Sequence, residues 1–495
     1  MKEYSPKRRT AVVFTGTGVS GAYHAGVLRA LDESGTKIDL VVGSGAGCVA
    51  AAFAAVAGGG RLYGPQGFWD DAGWSSFYRL RPALRTAVLL LAMSFGVFLL
   101  PLLLAILAGL LFPVGLLLDL VAPATAAALF AWLQALPTVL RTPYLAALSV
   151  PVFALSVTAV VAVGWAFVRR RRRFAEAFES PLDAVPGRTR LTRLLWEVAR
   201  GSAISPAPPS QEELGRRYVA LLAENLGQPG FRELILRTAD LDLGAALPFV
   251  VLQEPHREAF SVARARGQRS RTGGLPGAVD LTAAGAEGLF FEAVATGILP
   301  PLATPLARVA FPRGGVFPGE THRLTDATLA AGSGLAEALE AGAEQVILVA
   351  GVPEEPATPG RRRGPGAVAD ALLALQERAA LQNDVVTSET VIRMVETLGH
   401  RTPDGGRGWQ DPATGRVWRD FSLYVVRPDR RSIGALELDG GLDPATEVIE
   451  TPEDLAERGF RDAYRLFVEP VVGAPAPEPR RRQPVETEEG EPIEL

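Results

Sequence analysis

Cysteine and histidine are scarce in this chain of 495 residues. Cys48 stands alone, which excludes an internal disulfide and a thiolate metal cluster. The four histidines, His24, His256, His322 and His400, are scattered and show no zinc-ligand spacing. We therefore expect no metal site.

Lysine is scarce as well: the chain has only three lysines, and arginine carries the rest of the positive charge. This bias is typical of a GC-rich bacterial genome. The formal net charge of −4 gives no reason to expect a nucleic-acid partner. A secretory signal is not evident, since Ala11–Phe14 is the only apolar run before Gly16 and is too short for one. We expect the first half of the fold to be made in the cytoplasm and to stay there.

Long apolar runs are what the chain has in excess. Residues 86–118, 120–140 and 142–168 contain no charged side chain. A helix needs about 20 apolar residues to cross a bilayer. The runs therefore predict membrane segments rather than the core helices of a soluble protein.

The charges around these runs predict the topology. Three arginines precede the region and Arg169–Arg173 follow it, which places both flanks in the cytoplasm and requires an even number of crossings. We predict two spans, at 86–112 and 145–168; four spans stay open, and three are disfavoured. Pro101 and Pro113 offer kinks that are expected to turn the end of the first run along the interface. Trp69, Trp74 and Tyr78, just before this run, suit an aromatic belt at the membrane interface.

The sequence on either side of the apolar region is typical of one α/β domain. Short buried strands and helices alternate, which predicts a mostly parallel sheet flanked by helices and interrupted by a transmembrane hairpin. After the insert we predict helices at Glu212–Asn225 and Phe231–Thr238, a loop at Arg257–Gly277, and strands at Pro248–Gln253, Gln345–Val349 and Phe421–Val426.

Four segments follow from this pattern. They are residues 1–80 for the first part of the α/β domain, 81–173 for the transmembrane insert, 174–472 for the rest of the domain with a C-terminal helical extension, and 473–495 for a disordered tail.

Two glycine clusters, Gly16–Gly21 and Gly43–Gly47, lie where a strand meets a helix. Such junctions present backbone N–H groups that can hold an anion or an oxyanion. The first cluster also fits G-x-G-x-x-G, a dinucleotide-binding pattern, but that function needs an acidic residue at the end of the next strand. The nearest candidate, Asp39, lies at the start of that strand, so we expect no nucleotide cofactor.

Residues 15–51 resemble the opening of the patatin-like phospholipase family. In that family a Gly-Gly-Gly-x-Arg/Lys-Gly loop precedes a helix with the pattern Ala-x-x-Ala-Gly-Val-Leu, and a strand then delivers Gly-x-Ser-x-Gly. Here the helix pattern is Ala22–Leu28 and the turn is Gly43–Gly47. Further along, Ala293–Pro300 and Thr325–Val349 resemble the family's Ser-x-x-x-Pro helix and the segment that opens with its catalytic aspartate.

The resemblance implies a patatin-like α/β sheet and a Ser–Asp dyad. The aspartate acts as the base, the glycine loop binds the tetrahedral oxyanion, and neither a histidine nor a metal is needed. The aspartate position is Asp326, followed by Ala327-Thr328 instead of Gly-Gly. The nucleophile position is Gly45, which has no hydroxyl.

The predicted oxyanion loop also departs from the family pattern. Its positions are Gly16, Thr17, Gly18 and Gly21, and Thr17 replaces the middle glycine. Ser20 occupies the position of the basic residue. The scaffold positions therefore match the family, whereas the chemical positions do not.

Two functional hypotheses follow. The leading one is a bacterial inner-membrane, multi-pass protein whose cytoplasmic patatin-like domain is catalytically impaired and binds membrane lipid or a partner. The alternative is an active lipid acyl hydrolase that uses Ser44, one residue before the family position, together with Asp326. Adjacent residues of a strand face opposite sides, which counts against Ser44. The oligomeric state stays open.

Overall fold

The computed structural model describes residues 4–135, 150, 153–154, 157–158, 180–201, 207–267, 277–301, 303–314, 316–354, 365–401, 407–412, 417–430, 433–442 and 448–469. The chain divides into two compact units. Unit 1 comprises Met1–Tyr78, Ala184–Pro301 and Leu306–Leu495, and unit 2 comprises Arg79–Asp183 and Leu302–Pro305. The sequence before the apolar insert and the sequence after it thus belong to one unit.

Unit 1 is built from strands and helices that alternate through most of its length. In chain order they are β1 (Thr10–Gly16), α1 (Ser20–Glu33), β2 (Leu40–Gly45), α2 (Gly47–Ala54), α3 (Gly60–Tyr63), α4 (Trp74–Phe77), α7 (Val185–Ala199), α8 (Gln211–Asn225), β5 (Glu233–Asp240), β6 (Ala245–Val251), α9 (His256–Gly267), β7 (Val279–Asp280), α10 (Phe290–Ala295), β8 (Ala307–Ala310), β9 (Thr321–Asp326), α11 (Leu335–Glu340), β10 (Gln345–Ala350), α12 (Pro365–Leu398), β11 (His400–Arg401), β12 (Arg407–Gln410), β13 (Val417–Arg419), β14 (Ser422–Val426), β15 (Gly441–Leu442), β16 (Ile449–Glu450) and α13 (Pro452–Phe467).

A nine-stranded sheet forms the centre of unit 1, with the order β14-β10-β1-β2-β5-β6-β7. The strands from β14 to β5 are parallel, whereas β6 and β9 both pair antiparallel with β5. The predicted mostly parallel α/β sheet flanked by helices is therefore confirmed. Strands β1, β2, β5 and β10 are buried along their whole length, as expected for a sheet covered on both faces, whereas the edge strand β14 is partly exposed.

Two secondary-structure predictions for this part of the chain are wrong. Phe231–Thr238, predicted as a helix, belongs mainly to a strand in the middle of the sheet. Its run Leu234-Ile235-Leu236 is buried on both faces, and a short apolar run of that kind has no period that separates helix from strand. The predicted loop at Arg257–Gly277 begins instead with helix α9.

The last helix, α13, packs against the first. It opens with a capping box in which Thr451 and Asp454 exchange side-chain and backbone hydrogen bonds. Gly26 of α1 lets the two helices approach closely, because a Cβ at this position would lie 1.7 Å from the carbonyl oxygen of Ala456. The C-terminal helical extension therefore covers α1.

Unit 2 contains β3 (Arg79–Leu80) paired antiparallel with β4 (Leu182–Asp183), the long helix α5 (Pro82–Val121) and a further helix, α6, at 123–135. Within the described residues one helical segment is long and apolar enough to cross a membrane: Leu102–Val121, with a mean hydropathy of 2.4.

The described residues of unit 2 cover the first predicted span and only a few residues of the second. Helix α5 runs past the predicted end at residue 112 and continues through Pro113 to Val121, along the apolar run. Most of the second predicted span, 145–168, lies outside the described residues, as does the predicted tail. The aromatic belt is wrong at two positions: Trp69 and Tyr78 are buried in unit 1, where the Tyr78 hydroxyl donates to the carbonyl oxygen of Ile298.

Candidate active site

The two glycine clusters meet at the carboxyl ends of neighbouring parallel strands. Gly16 at the end of β1 is the register partner of Gly45 at the end of β2. Gly45 has a φ of +61°, in the left-handed region that favours glycine, and α2 begins two residues later. The chain therefore makes the sharp strand-to-helix turn on which a hydrolase of this architecture exposes its nucleophile.

Strand β9 brings Asp326 to this turn. A Cβ built on Gly45 would lie 2.6 Å from Oδ1 of Asp326. The structure thus places Asp326 directly against position 45, although the two residues are far apart in the sequence. Both are fully buried.

The carboxylate of Asp326 accepts hydrogen bonds on both oxygens. Thr17 donates its hydroxyl to Oδ2 at 2.7 Å, and Thr328 donates its backbone N–H and its hydroxyl to Oδ1, at 2.7 and 2.5 Å. Burial raises the pKa of Asp326 to about 6, and the hydrogen bonds from Thr328 and Thr17 limit the rise. Thr17 of the predicted oxyanion loop thus supplies a hydroxyl to Asp326.

A backbone carbonyl fills the space that a side chain at position 45 would need. The carbonyl oxygen of Gly16 would lie 2.3 Å from a Cβ on Gly45. The same oxygen accepts a hydrogen bond of 2.6 Å from the backbone N–H of Ala46. The end of β1 therefore lies directly against the turn after β2.

Ser44 lies in a different environment from Asp326. Its hydroxyl accepts a long hydrogen bond of 3.4 Å from the guanidinium of Arg237. That guanidinium also pairs with Glu337 and donates to the carbonyl oxygens of Ala331 and Gly332. The described hydrogen bonds join Ser44 to this buried ion pair, whereas those of Asp326 come from the two threonines.

The glycine loop, Gly16–Gly21, is covered by a segment that no sequence pattern indicated. The backbone N–H of Val19 donates to the carbonyl oxygen of Ala435 at 2.9 Å. Gly18 has a φ of +57°, and a Cβ on it would lie 1.9 Å from that same oxygen. At Gly21, a Cβ would lie 2.3 Å from the ring of Trp69. The loop thus depends on its glycines for close contacts on two sides.

Two further buried groups lie beside the loop. The carboxylate of Glu377, on α12, would be 3.0 Å from a Cβ on Gly16. His24 directs Nε2 to the carbonyl oxygen of Thr15 at 2.9 Å, and burial lowers the pKa of this imidazole to about 4. His24 is therefore neutral at physiological pH and tethers the end of β1.

The sequence did not predict helix α12, which contributes Glu377, because this helix carries no motif. Among the described residues, no group of three or more His, Cys, Asp or Glu side chains is arranged to hold a metal ion.

A family model, Patatin-like phospholipase, matches residues 12–272, more than half of the chain. The chain belongs to the patatin-like phospholipase family. The match contains the glycine loop and the turn at Gly45; Asp326 lies beyond its end, and the sheet brings that residue to the site. No curated protein matches the chain.

The family's fold can be compared with the geometry at the turn after β2. The family's lipid acyl hydrolase-type fold is present, with Asp326 beside the turn at Gly45. The Gly16 carbonyl lies against Gly45, and the hydroxyl that Asp326 receives comes from Thr17.

Proposed function

We propose that this protein is a membrane-integrated patatin-like protein that has lost hydrolase activity and binds lipid or a partner at the cytoplasmic face of a bacterial inner membrane. One observation carries the loss of activity: the carbonyl oxygen of Gly16 lies where the side chain of a nucleophile at position 45 would begin. Acyl transfer needs a nucleophile within reach of the base. Gly45 offers none, and a serine would need the loop to move.

The oxyanion side of the site supports the same proposal. An oxyanion hole stabilises charge only if its N–H groups point at the developing oxyanion. Here the N–H of Val19 already donates to Ala435 and that of Ala46 to Gly16. Two donors next to the turn are therefore satisfied by the protein itself.

The proposal for the membrane rests on helix α5. Its segment Leu102–Val121 is 20 residues long, about the length that crosses a hydrocarbon core. Only 6% of the apolar window is buried, whereas a core helix of a soluble protein would be mostly covered. Large apolar side chains are exposed along it, among them Leu110, Leu117 and Leu120. Lipid would remove this surface from water.

A fluorophosphonate probe tests the loss of activity, because it labels activated serines. The full chain, purified in detergent, should remain unlabelled under conditions that label an active serine hydrolase added to the same sample. Short acyl esters should be turned over at the background rate. Stoichiometric labelling would contradict the proposal.

A second candidate function, acyl hydrolysis, is favoured by one contact. The Thr17 hydroxyl donates to Asp326 at 2.7 Å, the arrangement of a nucleophile and its base. If the wild-type protein has esterase activity, Thr17→Val should abolish it, because valine keeps the shape and removes the hydroxyl. Loss of that activity in Ser44→Ala instead would identify Ser44 as the nucleophile.

A further inference from the structure

We propose that one face of helix α12 rests on the surface of an anionic lipid bilayer. The inference rests on the proposed membrane integration and goes beyond it, because it names the surface of unit 1 that contacts lipid. That surface, here called the outer face, lies on the first half of α12 and consists of Val368, Leu372, Leu375 and Ala379.

The outer face is apolar and exposed. The side chains of Val368, Leu372 and Leu375 are 61%, 56% and 61% exposed. Residues three and four positions apart lie on one side of a helix. In a helix that only covers the core of a soluble domain, the side away from the core is polar. The outer face therefore has the composition of a contact surface.

The opposite side of α12 is already packed against unit 1. Leu381 is buried in the main core cluster. Asp370 accepts a hydrogen bond of 2.6 Å from the N–H of Ala435, and Asp384 accepts the N–H and the hydroxyl of Ser333, both at 2.6 Å. These contacts fix the rotation of the helix about its axis. The outer face cannot turn inward, so only something outside unit 1 can cover it.

The apolar character of this side is limited to the first half of α12. Further along the same side the exposed residues are polar, at Thr390, Arg393 and Thr397. Thr390 follows Leu372 by about five turns of the same helix. The helix thus contains a matched polar position for the outer face.

The membrane insert is attached at the edge of the sheet that α12 crosses. Tyr78, the last residue of unit 1 before the insert, donates its hydroxyl to the carbonyl oxygen of Ile298 at 3.3 Å. The neighbouring Gly297 lies against the turn after β2, because a Cβ on it would be 2.5 Å from the carbonyl oxygen of Gly45. Glu377 of α12 lies against the last residue of β1. The insert therefore tethers the carboxyl edge of the parallel strands to the membrane, and α12 belongs to that edge.

Positive charge next to the outer face favours anionic lipid as its occupant. Three arginines, Arg361–Arg363, precede α12 in the sequence, and the chain from the last of them to the start of the helix spans at most ~7 Å. Arg378 lines the same groove as Leu375, and Glu354 in that groove is paired with Arg427. Apolar side chains flanked by arginines are typical of helices that lie on anionic membranes.

Fluorescence quenching by lipid tests this contact in the full chain. Leu372→Cys and Thr390→Cys are each labelled with an environment-sensitive nitrobenzoxadiazole group, and Cys48 is buried, so the wild-type protein should stay unlabelled. Each protein is placed singly in nanodiscs of phosphatidylglycerol and doxyl-labelled phosphatidylcholine. The emission at position 372 should be blue-shifted and should be quenched several-fold more strongly than the emission at position 390.

Two results would overturn the contact with lipid. One is equal quenching at positions 372 and 390. The other is a blue shift at position 372 without quenching by the doxyl group, which would show that protein covers the outer face.

The role of charge has its own test. Replacing Arg361, Arg362 and Arg363 together by glutamine should lower the quenching at position 372 to the level seen in nanodiscs of phosphatidylcholine alone. Equal quenching in anionic and neutral nanodiscs would overturn the preference for anionic lipid.

Carbonate extraction of native membranes separates this inference from the proposed function on which it rests. A chain that carbonate releases would refute membrane integration. Equal quenching at the two positions in a chain that resists carbonate would refute only the contact of α12 with lipid.

Discussion

At the scale of single residues, the absence of one side chain has consequences for several neighbours. Gly45 makes a sharp strand-to-helix turn with a φ of +61°, and the Gly16 carbonyl occupies the space that a side chain there would need. Asp326 then receives its hydroxyl from Thr17. The loop, the turn and the carboxylate form a packed and hydrogen-bonded unit.

Gly45→Ala and Gly45→Ser should both destabilise the protein. A Cβ meets the Gly16 oxygen at 2.3 Å and Asp326 at 2.6 Å, and a side chain at positive φ adds strain. Together, the contacts and the strain should lower the free energy of unfolding by about 2–4 kcal/mol. Melting curves measure this loss. Gly35→Ala is the matched control, because Gly35 has a φ of +64° with nothing within 4 Å of a Cβ. This variant should lose less stability than the Gly45 variants. Equal losses at positions 45 and 35 would show that the contacts do not matter.

Asp326 should give the protein a measurable pH dependence. Its folded-state pKa of about 6 lies above the ordinary 3.8, so folding favours the protonated acid. This contribution to stability is complete below about pH 4 and is lost as the pH rises through 6, and amounts to on the order of 2–3 kcal/mol. Asp326→Asn should remove it. The melting temperature of Asp326→Asn relative to wild type should rise between pH 4.5 and pH 7.5; a constant difference would contradict the raised pKa.

At the scale of elements, the contact between α1 and α13 joins the two ends of the described chain. Gly26 and Gly459 both lie at the contact, and a Cβ on either would lie less than 2.5 Å from a carbonyl oxygen of the opposite helix. Helix α1 also carries the glycine loop at its N-terminus. The packing of α13 therefore supports the element on which the site depends.

Gly26→Ala should loosen α13. The added methyl group would lie 1.7 Å from the carbonyl oxygen of Ala456, so the helices must separate, at a cost of about 1–3 kcal/mol. Hydrogen exchange of residues 452–467 should accelerate. The same change at Gly60, a helical glycine with open space around it, should leave their exchange unaltered. Unchanged exchange in Gly26→Ala would mean that α13 adapts without separating from α1.

At the scale of the whole molecule, the division into units constrains the topology. Met1–Tyr78 and Ala184–Pro301 belong to one compact unit, and the apolar insert lies between them in the sequence. Two segments on opposite sides of a bilayer cannot pack into one compact unit. The two ends of the insert should therefore lie on the same side, which requires an even number of crossings.

Reporter fusions can test this topology. Fusions of green fluorescent protein after Ser76 and after Glu179 should both fluoresce, and alkaline phosphatase at the same two positions should be inactive, because both positions are expected in the cytoplasm. Opposite results at the two positions would contradict an even number of crossings and the membership of both flanks in one unit.

The sequence was most informative where chemistry and backbone constraints coincide. The family resemblance predicted that Gly16, Gly45 and Asp326 belong together, and the structure brings these three residues into contact; their role as a site stays a prediction. Helix α12 and Ala435 were not predictable, because a backbone carbonyl has no side-chain signature and the helix carries no motif. The error at Phe231–Thr238 arose from a run too short to show a period.

The register of the sheet also has a consequence for how the protein is made. Leu40 of β2 pairs with Glu233 and Ala11 of β1 pairs with Val346, so both strands leave the ribosome long before their outer partners exist. At the usual speed of translation, roughly 10–40 s separate β2 from β5. Throughout that interval the apolar strands of a nascent chain have no partner on these edges. Ribosome-bound intermediates of this length should therefore depend on chaperones, and a stalled ribosome should yield an aggregation-prone fragment.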